Sequence, residues 1–349
     1  MRIASVASAF PNYYYGQGEI LAALQQQWSN EIPKPELLKR LHGRMGVDGR
    51  YLALPLESYA GLKTWGQANA AWMEIAPELA QKSLCRALSR AGLGIGDVNA
   101  IFFNSITGIA SPSLETRLIN RMGLSANVKR MPIFGLGCVG GAAGIARASD
   151  YVRAYPNHAA AVICVELCSL TWQHDDLSTA NLISSGLFGD GGVSAIVAGA
   201  EKVHHGPRIL ATKSIFYPNT EDVMGWDISE KGFRIVLSRE VPDMVHRHLR
   251  KDVDDFLCEN ALERRDIGTW IMHTGGPAVL EAMSEALELP EGALDASWCC
   301  LKKVGNLSSA SVLLVLEDVI AHRRPEPGTL SVLAAMGPGF CSELVLLKW

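Results

Sequence analysis

The chain has little of what would mark several common protein classes. Aromatic residues make up only 7% of the 349 positions. There is no basic excess: 32 Lys plus Arg stand against 36 Asp plus Glu, for a net charge of -4. No long basic block stands out, which argues against nucleic acid as a partner. No run of 18 apolar residues is free of charges or helix breakers, so no membrane span is expected. The eight cysteines, at 85, 138, 164, 168, 258, 299, 300 and 341, form no paired CxxC sets. Cys164 and Cys168 lie four apart, but no histidine knuckle completes a zinc site, and no metal is expected. Scattered free thiols fit a reducing cytoplasm. The opening "MRIASVASAF" before "PNYYYGQG" reads as a strand and a turn, not a signal peptide.

What is present is apolar residue, 48% of the chain, and glycine, 33 residues. That supports a large core with tight turns and close backbone packing. Strand-like runs alternate with helical ones. "NAIFFNS" follows the amphipathic "ELAQKSLCRALSRAGL", and "AAAVICVEL" follows the small-residue helix "GGAAGIARASDYVRAY". "VSAIVAGA" and "LSVLAAM" are further strands. Such alternation predicts an α/β protein with helices covering its sheets. A weak internal repeat runs through the chain. "GIGDVNAIFFNSITG" resembles "ERRDIGTWIMHTGG", with Asp97 and Asp266 169 residues apart. "GLGCVGGAAGIARASDYV" resembles "KKVGNLSSASVLLVLEDVI", with Cys138 and Asn306 168 apart. The offset predicts two copies of one unit, at 1–205 and 206–349, the first carrying the cysteine and the second His273 and Asn306.

Cys138 sits among glycines that permit a sharp strand-to-helix turn. A helix starting there favours thiolate, and a thiolate attacks thioesters. Taken alone, it reads equally as a small core residue. His273 ends an apolar strand before "TGGP", and Asn306 in "VGNLSSAS" reads first as a helix N-cap. The repeat places all three at corresponding element ends, where they converge. His273 then stabilises the thiolate, and His273 with Asn306 donates to an oxygen that gains negative charge. Decarboxylation of a malonyl thioester makes such an enolate, which then attacks an acyl-cysteine.

With these residues in view, the chain resembles the type III polyketide synthases, the chalcone and stilbene synthase superfamily. The likeness rests on "GLGCVGGAAG", "SSGLFGDGGVSAIV", "HTGGPAVL", "GNLSSASVL" and "GPG" at 337–339. It implies a duplicated, five-layered αβαβα thiolase-like fold and a cytosolic homodimer. The family's Cys-His-Asn triad falls on Cys138, His273 and Asn306, and a gatekeeper phenylalanine falls on Phe188. Phe188 also reads as a core aromatic before a tight turn. The resemblance implies acyl-CoA and malonyl-CoA as substrates, with no cofactor and no required acyl carrier protein. Lys39, Arg40 and Arg44 become candidates for the CoA phosphates, or else a solvated helix face. The backbone at Gly276 and Ala278 would line the CoA tunnel.

Departures from the plant pattern bear on the product. Ile235 replaces a second gatekeeper phenylalanine, and Trp226, in the bacterial-looking string "MGWD", replaces a glycine. Thr171, Cys168, Ile106, Thr107 and Ser308 fall on cavity positions, and Ser111 replaces a methionine that crosses into the partner in plant dimers. Trp226 should close the plant-style pocket, while Ile106, Ile109, Leu167 and Cys168 could line a tunnel for an acyl tail. The leading expectation is a fatty-acyl starter extended to an alkylpyrone or alkylresorcinol. Alternatives are a malonyl-CoA-only synthase of the tetrahydroxynaphthalene or phloroglucinol type, a β-ketoacyl synthase III-like enzyme, and a non-catalytic acyl-binding relative.

Overall fold

The computed structural model describes residues 1–28 and 35–349. Its strands are β1 (Arg2–Ala9), β2 (Tyr13–Gly16), β3 (Gly49–Leu52), β4 (Val98–Asn104), β5 (Lys129–Ile133), β6 (Ala159–Leu167) and β7 (Asp190–Ala198). They continue with β8 (Arg208–Phe216), β9 (Met224–Ser229), β10 (Gly232–Leu237), β11 (Ile267–Met272), β12 (Leu330–Gly337) and β13 (Cys341–Lys348). The helices are α1 (Gln17–Gln27), α2 (Pro35–Gly43), α3 (Trp65–Ala91), α4 (Leu114–Met122) and α5 (Gly140–Ala154). They continue with α6 (Thr179–Leu187), α7 (Val241–Glu259), α8 (Pro277–Leu287), α9 (Asp295–Val304) and α10 (Ser311–Asp318).

Nine strands hydrogen-bond in the order β11-β12-β13-β8-β1-β7-β6-β4-β5. The two halves of this array join at β1 and β8, where Arg2 pairs with Arg208 and Ile3 N–H and Ile209 N–H donate to Pro207 O and Met1 O. Period-two alternation then sorts the side chains into layers. In β6, Ala161, Ile163 and Val165 face a core shared with α3, while Ala160, Val162 and Cys164 face a second core. That second core also takes Leu333 and Ala335 of β12 and Val345 and Leu347 of β13, with α5 and α10 between the two half-sheets. Val332, Ala334, Leu344 and Leu346 face a third core under α7 and α8. The layers are therefore helix, sheet, helix pair, sheet, helix, which is the thiolase-like arrangement. β6 is buried on both faces along its whole length, which is why it reads as an unbroken apolar run.

The internal repeat is visible in matching details. A 3-10 turn closed by Asp97 leads into β4, and one closed by Asp266 leads into β11. The second correspondence is shifted from the expected one. Gly137–Val139 forms a 3-10 turn before α5, and Ser308–Ala310 forms one before α10. Gly137 and Ser308 open these turns with φ of +51° and +47°. Cys138 thus corresponds to Ser309, and Asn306 lies ahead of its turn instead of at the matching helix start.

Candidate active site

Cys138 occupies the turn between β5 and α5, where the chain must reverse in little space. A Cβ on Gly137 would lie 2.9 Å from Pro338, and one on Gly337 would lie 3.2 Å from the Cys138 Cβ. The "GPG" loop after β12 therefore presses directly on the cysteine turn. Cys138 is buried, and its Sγ donates weakly to Ser308 Oγ at 3.9 Å. Burial pushes the thiol up to about 12, opposed by the Ser308 hydroxyl and the Asn306 amide.

His273 follows β11 directly, its N–H donating to Ala334 O at 3.0 Å. Both ring nitrogens are buried without a hydrogen-bond partner. Burial alone pulls the imidazole down to about 3. No hydrogen bond joins Cys138 and His273, although the two line the same cavity. Unpaired polar atoms in a buried wall are costly, so a ring with both nitrogens free is poised for a partner that enters. Asn306 is fixed differently. Its Oδ1 accepts from Ser308 N–H at 2.8 Å and Ser311 Oγ at 3.1 Å. With the oxygen held, the amide N–H group is left for the cavity that Asn306 lines together with Cys138. Asn306 therefore does cap the turn, and still serves the cavity.

The cavity holds about 630 Å³, a volume suited to a small molecule. Cys138, His273, Asn306 and Phe188 line it together, as do Arg44, Gly276 and Ala278. Lys39 and Arg40 are on the exposed face of α2 and do not line it. Arg239, between β10 and α7, lines it beside Arg44, and no sequence pattern singles it out. Gly276, with φ of +116°, opens α8, whose free N–H groups lie at the same wall.

The specificity residues divide. Thr107 and Thr171 line a second cavity of about 370 Å³, together with Tyr59, Gln173 and Phe233. Between the two cavities runs the β9–β10 hairpin, where Trp226 pairs directly with Ile235. On the same face Met224 and Leu237 reach the first cavity and Phe233 reaches the second. Trp226 packs on Phe233 at 5.9 Å between ring centres, and neither Trp226 nor Ile235 lines either cavity. Ile106, Leu167 and Cys168 are buried, and none lines either cavity. Ile109 is 45% exposed. The expected acyl tunnel does not form from these residues, because they pack into the cores or face outward.

Glu166, near the end of β6, is fully buried. It accepts from Ser309 Oγ at 2.5 Å, Thr107 Oγ1 at 3.0 Å and Ile106 N–H at 3.1 Å. Burial raises it to about 7, opposed by these donors. A single carboxylate inside "AAAVICVEL" was the available signal for it.

Residues 36–202 match the N-terminal domain of chalcone and stilbene synthases, and residues 208–349 match the C-terminal domain. The chain belongs to this family. It is 50% identical over 350 residues to a 1,3,6,8-tetrahydroxynaphthalene synthase of Streptomyces peucetius subsp. caesius, covering 99% of this chain and 93% of that protein. It is 30% identical to a phloroglucinol synthase of Pseudomonas fluorescens, covering 97% of each. The crystal structure of the Streptomyces coelicolor 1,3,6,8-tetrahydroxynaphthalene synthase, a bacterial type III polyketide synthase, superposes with a TM-score of 0.95 at 31% identity, covering 100% of this chain and 99% of that one. The chain is therefore a polyketide-forming condensing enzyme and an acyltransferase. These relatives favour the malonyl-only alternative over the fatty-acyl starter.

Proposed function

We propose that this type III polyketide synthase builds a polyhydroxylated aromatic product from malonyl-CoA alone, of the tetrahydroxynaphthalene type. The observation that carries this reading is the 50% identity to a tetrahydroxynaphthalene synthase along nearly the whole of both chains. That product has ten ring carbons with oxygen at alternate positions, the pattern left by joining two-carbon malonyl-derived units. The packing of Ile106, Leu167 and Cys168 away from both cavities also supports it, since a long acyl starter would need an apolar channel.

In this reading Cys138 Sγ gives its proton to His273 as substrate binds, and attacks the thioester carbonyl. CoA leaves as the thiol, taking a proton. A further malonyl-CoA loses carbon dioxide, and its enolate oxygen accepts from His273 and the Asn306 amide. The enolate carbon attacks the Cys138 thioester, and the sulfur leaves as thiolate. The lengthened chain, now on CoA, returns to Cys138. Phe188 covers the reacting centre and keeps water from the thioester. Arg44, Arg239 and the N-terminal end of α8 at Gly276 suit the CoA phosphates.

Product mass spectrometry with malonyl-CoA alone and with acyl-CoA starters from acetyl to stearoyl tests this. An aromatic product whose yield no starter increases is expected. A product that forms only when a long starter is present would return the enzyme to the alkylpyrone type.

A further inference from the structure

The fold holds a buried cation that the reaction itself does not use. Arg50, in β3, is 0% exposed and forms no ion pair among the described residues. Its Nη1 donates to Phe188 O at 2.6 Å and its Nη2 to Ser185 O at 2.7 Å. These carbonyls belong to the end of α6, where a helix leaves its last C=O groups without internal partners. Here each one is taken from outside. Gly186 O accepts from Gln17 Nε2 at 2.7 Å, and Leu187 O accepts from the Asn306 N–H at 2.9 Å. The return bond runs from Gly189 N–H to Asn306 O at 2.9 Å, so Phe188 and Asn306 form a short parallel bridge.

The guanidinium sits beneath this bridge. A Cβ on Gly305, whose φ is +75°, would lie 2.5 Å from Leu187 O and 3.0 Å from Arg50 Cδ. The two loops therefore cross with no room for side chains, and Arg50 fills the space below. A cation at a helix C-terminus also meets the negative end of the helix dipole. Burial lowers the guanidinium only to about 10, so it stays charged at neutral pH.

We infer that Arg50 is a positioning residue that holds Phe188 and Asn306 in register with each other, so that the water shield and the oxyanion donor stay aligned over Cys138. The inference rests on the roles proposed for those two residues. Arg50 touches no substrate and acts through the α6 carbonyls. Without it, Phe188 O and Ser185 O lose their donors, the bridge shifts, and water reaches the Cys138 thioester before elongation is complete.

The test measures purified Arg50→Met and Arg50→Lys, with active sites counted by alkylation of Cys138. Per active site, full-length product should fall about 10- to 100-fold in Arg50→Met, the range that small misplacements produce. The share of truncated, hydrolysed chains should rise, while KM for malonyl-CoA stays nearly constant. Arg50→Lys, which reaches one carbonyl instead of two, should fall between. Gln17→Leu, which removes only the Gly186 contact, gives a milder shift in the same direction if Arg50→Met fails to fold. A purely structural role would lower thermal stability and the number of active sites, yet leave the product ratio per active site at the wild-type value; that result overturns the inference. Phe188→Ala and Asn306→Ala run alongside. If those two alter the ratio and the Arg50 and Gln17 variants do not, the inference alone fails. If neither of them alters it, the roles assigned to Phe188 and Asn306 fail first.

Discussion

A carboxylate buried as deeply as Glu166 makes stability depend on pH. Its folded pKa, about 7, is above the ordinary value of 4.5. Between those values the native state holds more protons than the unfolded one, so stability falls as pH rises through that window and levels off above it. Glu166→Gln removes this dependence while keeping an acceptor for Ser309 or Thr107. Denaturant titrations at several pH values should show the variant gaining on wild type from pH 4.5 to 7, by up to about 1.4 kcal/mol per pH unit. Parallel curves would contradict the burial argument. The Cys138–His273 pair gives a second prediction. Taken separately, burial keeps the thiol protonated and the imidazole neutral. Moved together, thiolate and imidazolium stabilise each other in a medium of low dielectric. Alkylation of Cys138 should thus be nearly flat with pH around neutrality in the wild type. In His273→Gln it should climb steeply with pH, toward the thiol's raised value. Identical profiles would remove His273 from the thiolate. The three candidate site residues stood out in the sequence through the glycines and strand ends around them and through the family resemblance, whereas the repeat did not place Asn306, because its offset differs by three residues. Arg50 and Arg239 did not stand out, since what matters for each is a carbonyl or a cavity brought close by distant segments.

At the scale of elements, the hairpin is proposed to bear on specificity and the loop crossing on precision. The strands β6, β4 and β12 could be read directly, because burial on both faces leaves an apolar signature. The shift of the repeat by three residues could not, because it depends on where the chain takes a positive φ at Gly137 and Ser308. Gly305→Ala should destabilise by about 1–3 kcal/mol, from strain at a positive φ and the collision with Leu187 O; thermal or denaturant unfolding measures it, and an unchanged midpoint would contradict the crossing geometry. Trp226→Gly removes the ring that packs on Phe233 at the wall of the second cavity. Chain length or starter tolerance should widen in the product profile, and an unaltered profile would show that Trp226 does not bound the growing chain.

At the scale of the whole molecule, the duplicated fold followed from periodicity, while the product class did not. The residues expected to form an acyl tunnel are apolar, and apolar residues suit a core equally well; only the three-dimensional packing separates the two uses. No described helix is long and apolar enough to cross a membrane. β5 is one of the two outer strands of the array, with Met131 49% exposed and, among the described residues, no strand pairing on its free side. The resemblance implies a homodimer, a second copy of the chain is proposed to cover this edge, and light scattering should return twice the chain mass. The central claim, condensation of malonyl units alone on Cys138, is tested most directly with uniformly ¹³C-labelled malonyl-CoA and a tenfold excess of unlabelled acyl-CoA starters. The account predicts a product in which every carbon is labelled, and none from Cys138→Ala. A product carrying an unlabelled starter-derived tail would contradict it.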